Sequence, residues 1–306
     1  MFICRNRSTD KRPSPFNQKT VMKKILVPTD LSPIAEMGVK LAAEIAKRSG
    51  AIVSLVNFTR HPFGKSFTAT GDINLKIDEE GNLYTLQLLQ ANKAKLDALT
   101  QQYGGPGIQF EYSIVDDELK DGIDSYLQQE KIDLIVMGTS GEESAQEAFT
   151  GNHTEQVIGV STCPVLSVRD GFVIDNFENM VVAVDVIHGN QVSSGLNTLK
   201  HLADCFDAHV HLVHVRDRAS DSPPVLDEYF KSMAEAAGLK HYFVTVLEGD
   251  DPAEAVIGFA RDVKAGLIAV IKNSKDGIFR IFSNHFSDRL VKEVGRPVFT
   301  YNLQNA

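Results

Sequence analysis

A strand–helix–strand unit at the start of the sequence constrains the fold more than any other feature. Residues 24–30 (KILVPTD) form a short apolar run of the kind that makes a buried strand. Apolar residues at 35, 39, 42 and 45 then fall on one face of a helix, and residues 51–58 (AIVSLVNF) form a second apolar run. Two strands joined by a crossover helix pair in parallel, so this segment predicts the beginning of a parallel sheet.

The same order of elements returns in the second part of the chain. After Asn179, residues 180–185 (MVVAVD) again form an apolar run that ends in an aspartate, so that Asp30 and Asp185 stand at equivalent places. Two further pairs of segments match at an offset of 133 residues: Lys131–Met137 with Lys264–Val270, and Cys163–Leu166 with Arg296–Phe299. A twofold internal repeat explains this pattern, and its period is the size of a domain.

Each half alternates five strands with helices, which predicts an α/β fold. We expect two tandem doubly wound parallel five-stranded sheets, each with strand order 3-2-1-4-5 and helices on both faces. The predicted divisions are a disordered tail over 1–21, a first domain over 22–169, a linker over 170–178 and a second domain over 179–303.

Composition and charge exclude several classes of protein. The 306 residues include 40 acidic and 31 basic side chains, for a formal net charge of −9. An anionic surface argues against nucleic-acid binding and against binding to acidic membranes. No apolar run approaches the roughly 20 residues that span a bilayer. The three cysteines form neither a metal-binding pair nor an even disulfide framework, which favours a reducing, cytoplasmic setting.

The predicted ligand site lies where the strand order reverses, between strands 1 and 4 of the first half. Strand 4 ends at Gly138 and continues as Gly138-x2-Gly141-x9-Gly151-Asn152, followed by a helix that begins at His153. Glycines let the backbone approach a ligand closely, and a helix N-terminus attracts anions. Together they predict a phosphate-binding loop. It is neither a GxxxxGK[ST] loop nor a GxGxxG fingerprint, so NAD-type binding is disfavoured.

This glycine pattern, together with the Asp30 that ends strand 1, resembles the ATP-binding pattern of the universal stress protein family. The resemblance covers residues 22–169 well and 179–301 more weakly, so the chain resembles a tandem universal stress protein. It implies an ATP site built from ten residues: Pro28, Thr29 and Asp30 at the adenosine end, the backbone around Val56 at adenine, Met137 and Gly138 at the ribose and phosphates, and Gly141, Gly151, Asn152 and His153 at the triphosphate. Mg²⁺ would bind to the phosphates.

The second half departs from the pattern. At the same offset of 133, Ile271, Ser274, Asn284 and His285 stand in place of the three glycines and Asn152. We therefore expect a degenerate second domain and one ATP site per chain.

Simpler readings of the same residues stay open. The three glycines could serve only as turn residues, and Asn152 could serve only as a helix N-cap. Asp30 could instead be a residue that accepts a phosphoryl group. His209 and His211 alternate on one face of a strand and form a possible metal pair without an evident third ligand. Cys163 and Cys205 are expected to pack in the interior, and no catalytic set of side chains is evident.

The leading functional hypothesis is an ATP-binding stress-response or regulatory protein. The second hypothesis is an enzyme that slowly hydrolyses ATP or transfers its adenylyl group in the same crevice, although no general base is evident. An ATP-independent interaction scaffold is the third. The resemblance also implies that the two halves pack as an internal pseudodimer through Val165–Val168 and Val298–Tyr301, while association into a homodimer is left open.

Overall fold

The computed structural model describes residues 22–59, 79–139, 153–169, 172, 177–184, 191–216, 223–272 and 295–302, with the backbone alone at 79–82, 191–195, 223–226 and 272. The strands are β1 Lys24–Pro28, β2 Ile52–Phe58, β3 Gln109–Val115, β4 Leu134–Gly138, β5 Val165–Val168, β6 Asn179–Ala183, β7 His209–Arg216, β8 Tyr242–Glu248, β9 Leu267–Lys272 and β10 Val298–Asn302. The helices are α1 Pro33–Ser49, α2 Glu79–Tyr103, α3 Leu119–Gln129, α4 His153–Val160, α5 Gln191–Phe206, α6 Pro223–Ala237 and α7 Pro252–Asp262.

All ten strands belong to one sheet, in the order β3-β2-β1-β4-β5-β10-β9-β6-β7-β8. The predicted order 3-2-1-4-5 is confirmed in the first half, and the second half has the same order read from the opposite edge of the sheet. Every pairing is parallel except the pairing of β5 with β10, which is antiparallel. This antiparallel pair joins the two predicted five-stranded sheets into one, because the last strand of each half lies at its inner edge.

Backbone hydrogen bonds show how closely the second half repeats the first. The Thr29 amide donates to the Val56 carbonyl at 2.9 Å, and the Val184 amide donates to the Val213 carbonyl at the same distance. In each case the donor is the first residue beyond the leading strand and the acceptor lies on the neighbouring strand. Thr29 and Val184 are therefore structural equivalents.

The core is shared between the halves on one face of the sheet only. There α1, α2, α5 and α6 contribute to a single cluster of buried side chains that runs through both halves. On the opposite face, α3 and α4 cover one cluster and α7 covers a separate one. The predicted placement of helices on both faces is confirmed. Within the described part of the chain, no helix has the length and apolar character needed to cross a membrane.

The start and end of α1 follow from local chemistry. Ser32 is the N-cap, and its side-chain oxygen accepts the Ala35 amide at 3.2 Å, while Pro33 occupies the first helical position. Gly50 ends the helix in a left-handed conformation with φ of 74°, and its amide donates to the Ala46 carbonyl. These signals fix α1 immediately after β1, which brings its first turn to the carboxyl edge of the sheet.

Candidate functional site

The carboxyl ends of β1 and β4 lie side by side. Leu26 is paired with Ile135 in parallel register, so the last residues of the two strands, Pro28 and Gly138, lie at the same edge. The two strands are followed by helices on opposite faces of the sheet, α1 on one and α4 on the other. That divergence opens the crevice in which doubly wound proteins bind ligands.

The turn between β1 and α1 is tight and strained. The Asp30 carboxylate accepts the Ser32 amide at 2.9 Å, and the Thr29 hydroxyl accepts the Leu31 amide at 3.0 Å. Between them Leu31 has a φ of 64°, a left-handed conformation that costs a residue with a side chain about 1–3 kcal/mol. The Asp30 side chain is exposed at this turn. Strain of this kind persists only where the surrounding bonds hold it, and it is typical of binding sites.

A buried amide network supports the turn from below. Asn57, which is 2% exposed, donates from Nδ2 to the Thr29 carbonyl at 2.8 Å. Its Oδ1 accepts the Thr59 hydroxyl at 2.7 Å and the Asn92 amide on α2 at 2.9 Å. These residues were not predicted from the sequence. The available signal was an asparagine near the end of a mostly apolar strand, where an unpaired amide would be unfavourable.

Gly138 is in contact with the backbone of α1. A Cβ at this position would lie 1.8 Å from the Ile34 carbonyl oxygen, and a Cβ on Gly38 would lie 2.9 Å from the Gly138 nitrogen. Helix α1 therefore packs on the end of β4 through two glycines. The sequence predicted a glycine here for close approach of a ligand, and the structure adds a packing requirement that is independent of any ligand.

Of the other predicted residues, some are buried, one is exposed and the rest lie outside the described part of the chain. Pro28, Thr29 and Met137 are buried at the base of the crevice. Val56 is fully buried, and its carbonyl already accepts the Thr29 amide. His153 is exposed as the first residue of α4. Gly141, Gly151 and Asn152 lie outside the described residues, as do the tail 1–21 and most of the predicted linker 170–178.

Successive residues of β2 direct their backbone groups to different neighbouring strands. The Thr59 amide pairs with β3 through the Val115 carbonyl, whereas Val56 pairs with β1. Because backbone groups of successive residues point to opposite edges of a strand, those of Phe58 point to the β1 side. Phe58 lies beyond the last residue of β1 in the paired register, so its backbone faces the crevice.

The second half differs at the same place. Ile271, the counterpart of Gly138, is fully buried in the core. It is paired with Tyr301 just as Gly138 is paired with Val168, which confirms that the two positions correspond. A branched side chain therefore occupies the position where the first half brings two backbones together. Asp185, the counterpart of Asp30, and the counterparts of the other motif residues lie outside the described residues.

Outside this edge, Cys163 and three histidines are held in packing contacts, whereas Cys205, which was expected in the interior, is partly exposed. Burial raises the pKa of the Cys163 thiol to about 12, and the thiol lies in the core beneath α3 and α4. His209 and His211 both contact the ring of Phe243, as the predicted alternation requires, whereas His214 contacts Phe230 in the core shared by both halves. Among the described residues, no group of three or more His, Cys, Asp or Glu side chains is arranged to hold a metal ion.

These features define a class: a doubly wound α/β protein with a ligand crevice at the carboxyl ends of its two central parallel strands. Within that class, residues 22–169 match the model of the universal stress protein family. The first half of this chain belongs to that family.

Relatives in sequence match about half of this chain. The chain is 27% identical over 159 residues to the universal stress protein MJ0531 of Methanocaldococcus jannaschii. The matched segment covers 50% of this chain and 85% of the relative. It is 26% identical over 152 residues to the universal stress protein YxiE of Bacillus subtilis. That matched segment covers 49% of this chain and all of the relative. Each match thus accounts for about half of the present chain.

Solved structures resemble the chain over nearly its whole length. A universal stress protein from Archaeoglobus fulgidus superposes with a TM-score of 0.63 at 19% identity, and it covers 92% of this chain and 96% of its own. A putative universal stress protein from Pseudomonas aeruginosa superposes with a TM-score of 0.60 at 16% identity, with coverage of 94% and 95%. At this level of identity the similarity shows a shared fold for both halves.

Proposed function

We propose that this chain is an adenine-nucleotide-binding regulatory protein with one ATP site, located in the first half at the carboxyl ends of β1 and β4. The observation that carries the proposal is the strained turn at Leu31, which presents the exposed Asp30 carboxylate at the edge of the sheet where β4 ends at Gly138. A carboxylate at this edge accepts hydrogen bonds from ribose hydroxyls.

The phosphates would lie toward α4. Gly138 leads into the segment that carries Gly141, Gly151 and Asn152, and α4 begins at His153 directly after it. The unpaired amides of a first helical turn attract negative charge. We assign the triphosphate to this segment and to the N-terminus of α4.

The adenine ring would lie against the end of β2. Since the Val56 carbonyl is engaged in the sheet, we propose that the backbone of Phe58 makes the contact that the sequence analysis gave to Val56. Pro28, Thr29 and Met137, which are buried at the base of the crevice, would shape its floor.

Mg²⁺ would enter with the nucleotide. Asp30 is the acidic side chain of the turn between β1 and α1, and its carboxylate accepts a hydrogen bond from the Ser32 amide. A single carboxylate suits an ion that keeps most of its ligands from phosphate and water. The ion would neutralise phosphate charge and would depend on ATP for its binding.

We propose that residues 179–303 form a degenerate domain of the same kind, following a domain over 22–169. Ile271 in the position of Gly138 supports this assignment. The two halves would then act as permanent partners through the pairing of β5 with β10. A reducing, cytosolic setting is supported by the free thiols of Cys163 and Cys205.

Calorimetric titration with Mg-ATP tests the proposed site. Asp30→Ala is expected to weaken binding about 10- to 100-fold, the effect of losing hydrogen bonds to a charged group. Asp124→Ala, which removes an exposed acid on α3 that is bonded to Gln128, is the matched control and should bind like the wild type. Equal affinity in Asp30→Ala and the wild type would remove Asp30 from the site. Gly138 is unsuitable as a test position because any side chain there collides with α1.

The same preparation distinguishes the alternatives. Parallel titrations with AMP and a cyclic nucleotide establish which phosphate chain the site prefers. Turnover of labelled ATP, measured with protein and ATP at equal concentrations, would support the enzyme hypothesis. Absence of binding, together with a melting temperature that no adenine nucleotide changes, would support the interaction scaffold.

A further inference from the structure

The Thr29 carbonyl lies where β1 has ended and the sheet would otherwise continue. Thr29 is 4% exposed, so its carbonyl is removed from water and needs a donor within the protein. The donor is a side chain, the Nδ2 amide of Asn57 at 2.8 Å. This bond holds the residue directly before Asp30 and the strained Leu31.

The second half satisfies the equivalent carbonyl in a different way. His214 Nδ1 lies 3.1 Å from the carbonyl oxygen of Val184, the counterpart of Thr29. Because a carbonyl only accepts, Nδ1 of His214 must carry the proton. His214 follows Val213 as Asn57 follows Val56, so the two side chains occupy corresponding positions. Both halves therefore use a side-chain donor at this carbonyl, although the donor residues differ.

The first half adds a link that joins this donor to α2. The Asn92 amide on α2 donates to Asn57 Oδ1 at 2.9 Å, and the Thr59 hydroxyl donates to the same oxygen at 2.7 Å. With its oxygen fixed by two donors, the Asn57 amide can only be oriented with its nitrogen toward Thr29. In the second half the corresponding His214 packs against the ring of Phe230, at 5.6 Å between centroids.

We propose that Asn57, oriented by Asn92 and Thr59, is the positioning residue of the nucleotide site. It holds the turn of Thr29, Asp30 and Leu31 in the conformation that accepts the nucleotide, and it couples that turn to α2. This inference rests on the proposed function for the identity of the ligand and on the hydrogen bonds for the effect on the turn.

Two variants and one matched control test the inference. Asn57→Ala removes the donor to Thr29, and Asn92→Ala leaves the donor in place but removes the bond that orients it. Tyr112→Phe is the control, since it removes a 2.7 Å hydrogen bond from β3 to Asp97 on the same helix without touching the turn. Circular dichroism and thermal melting establish that each variant is folded.

The first measurement is affinity for Mg-ATP. Asn57→Ala is expected to weaken binding about tenfold, and Asn92→Ala about threefold, because one leaves a buried carbonyl unpaired and the other only loosens its donor. Tyr112→Phe should bind like the wild type. If Tyr112→Phe loses as much affinity as Asn57→Ala, the effect is a general loosening of α2 and the inference is wrong.

The second measurement needs no nucleotide. Hydrogen–deuterium exchange at the amides of Leu31 and Ser32 should be faster in Asn57→Ala than in the wild type and unchanged in Tyr112→Phe. Unchanged exchange at these amides in a folded Asn57→Ala would overturn the inference even if ATP binds. If the wild type binds no adenine nucleotide, the proposed function fails, and this measurement alone decides whether Asn57 holds the turn.

Rescue separates positioning from packing. The double variant Asn57→His with Asn92→Ala places an imidazole where the second half already uses one, in a space from which the Asn92 side chain has been removed. It should recover most of the affinity lost in Asn57→Ala and should slow exchange at Leu31 again. An affinity no better than that of Asn57→Ala would mean that volume, and not the donor, matters at this position.

Discussion

Leu166 on β5 lies directly opposite Phe299 on β10 in the antiparallel pair that joins the two halves, and both side chains are fully buried. The two residues are also equivalents in the repeat, at its offset of 133. A residue that faces its own equivalent marks an axis of symmetry. The pseudo-twofold axis of the molecule therefore passes between Leu166 and Phe299, and both side chains belong to the core shared by the two halves.

Phe299→Ala should destabilise both halves together. Truncating a buried phenylalanine costs about 3–5 kcal/mol, and this one lies at the junction. We expect a lower free energy of unfolding in urea, with fluorescence and circular dichroism still giving one coincident transition. Phe243→Ala is the control, since that ring is 51% exposed and its loss should matter far less. Separate transitions for the two halves in the wild type would show that they do not unfold as a unit.

The symmetry of the junction is broken at one hydrogen bond. The Ser167 hydroxyl donates to the Val298 carbonyl at 3.2 Å, whereas the equivalent hydroxyl of Thr300 is buried with no hydrogen-bond partner in the structure as described. Thr300→Val should therefore be neutral or stabilising by up to about 1 kcal/mol, and Ser167→Ala should destabilise by about 1 kcal/mol. Urea denaturation of the two variants checks both signs. A clear loss of stability in Thr300→Val would mean that its hydroxyl is satisfied in solution.

Gly138→Ala should destabilise the protein in the absence of any nucleotide. Its Cβ would lie 1.8 Å from the Ile34 carbonyl oxygen, so α1 must shift, and overpacking of this kind costs about 1–3 kcal/mol. Gly258→Ala on α7 is the matched control because a Cβ there meets nothing within 4 Å. Replacing glycine within a helix should stabilise by about 0.5–1 kcal/mol. Thermal melting of the ligand-free variants gives both effects, and an unchanged Gly138→Ala would contradict the packing.

Cys163 should resist thiol reagents in the folded protein. Burial raises the pKa of its thiol from 9.0 to about 12, so the reactive thiolate is scarcely populated at pH 8. Mass spectrometry after alkylation should find Cys163 unmodified in buffer and modified in urea. Because the folded pKa lies above the unfolded value, the thiol's contribution to stability is complete below pH 9 and is lost as the pH rises toward 12. Rapid labelling of Cys163 at pH 8 in buffer would show that the site opens.

ATP should bind with a stoichiometry of one per chain. The second half has Ile271 where the first has Gly138, so the proposed site has no counterpart there. Calorimetric titration of the wild type should give one site, and Asp30→Ala should weaken that site without revealing another. A stoichiometry of two would mean that the second half binds nucleotide through residues other than the glycine motif.

The strands could be predicted because apolar runs are local in sequence, and their order followed from the doubly wound class that alternating strands and helices indicate. Apolar runs of five to eight residues marked β1, β2 and β7, and Ser32 with Pro33 marked the start of α1. The family resemblance implied which two strands meet at the junction, since nothing local in residues 165–168 specifies a partner 133 positions away, but it did not give their antiparallel direction.

The contacts within the site could not be predicted in the same way. Asn57 and Asn92 are 35 residues apart on different elements, and their hydrogen bond depends on how α2 lies across the sheet. The need for glycine at 138 depends on the position of the Ile34 carbonyl, which only the packing of α1 fixes. The backbone of Val56 faces β1, the same edge as that of Phe58, and the bond by which the Thr29 amide engages its carbonyl could not be predicted from the sequence.

The antiparallel pairing of β5 with β10 has a consequence for how such a molecule can evolve. When two copies meet by diffusion, dilution separates them, and every substitution appears on both sides of the interface at once. Here the partner half belongs to the same chain and is present at a fixed, high local concentration. The pairing of the two halves is therefore insensitive to expression level. Each side is also free to change alone, which allows one half to lose a pocket while it still completes the core of the other.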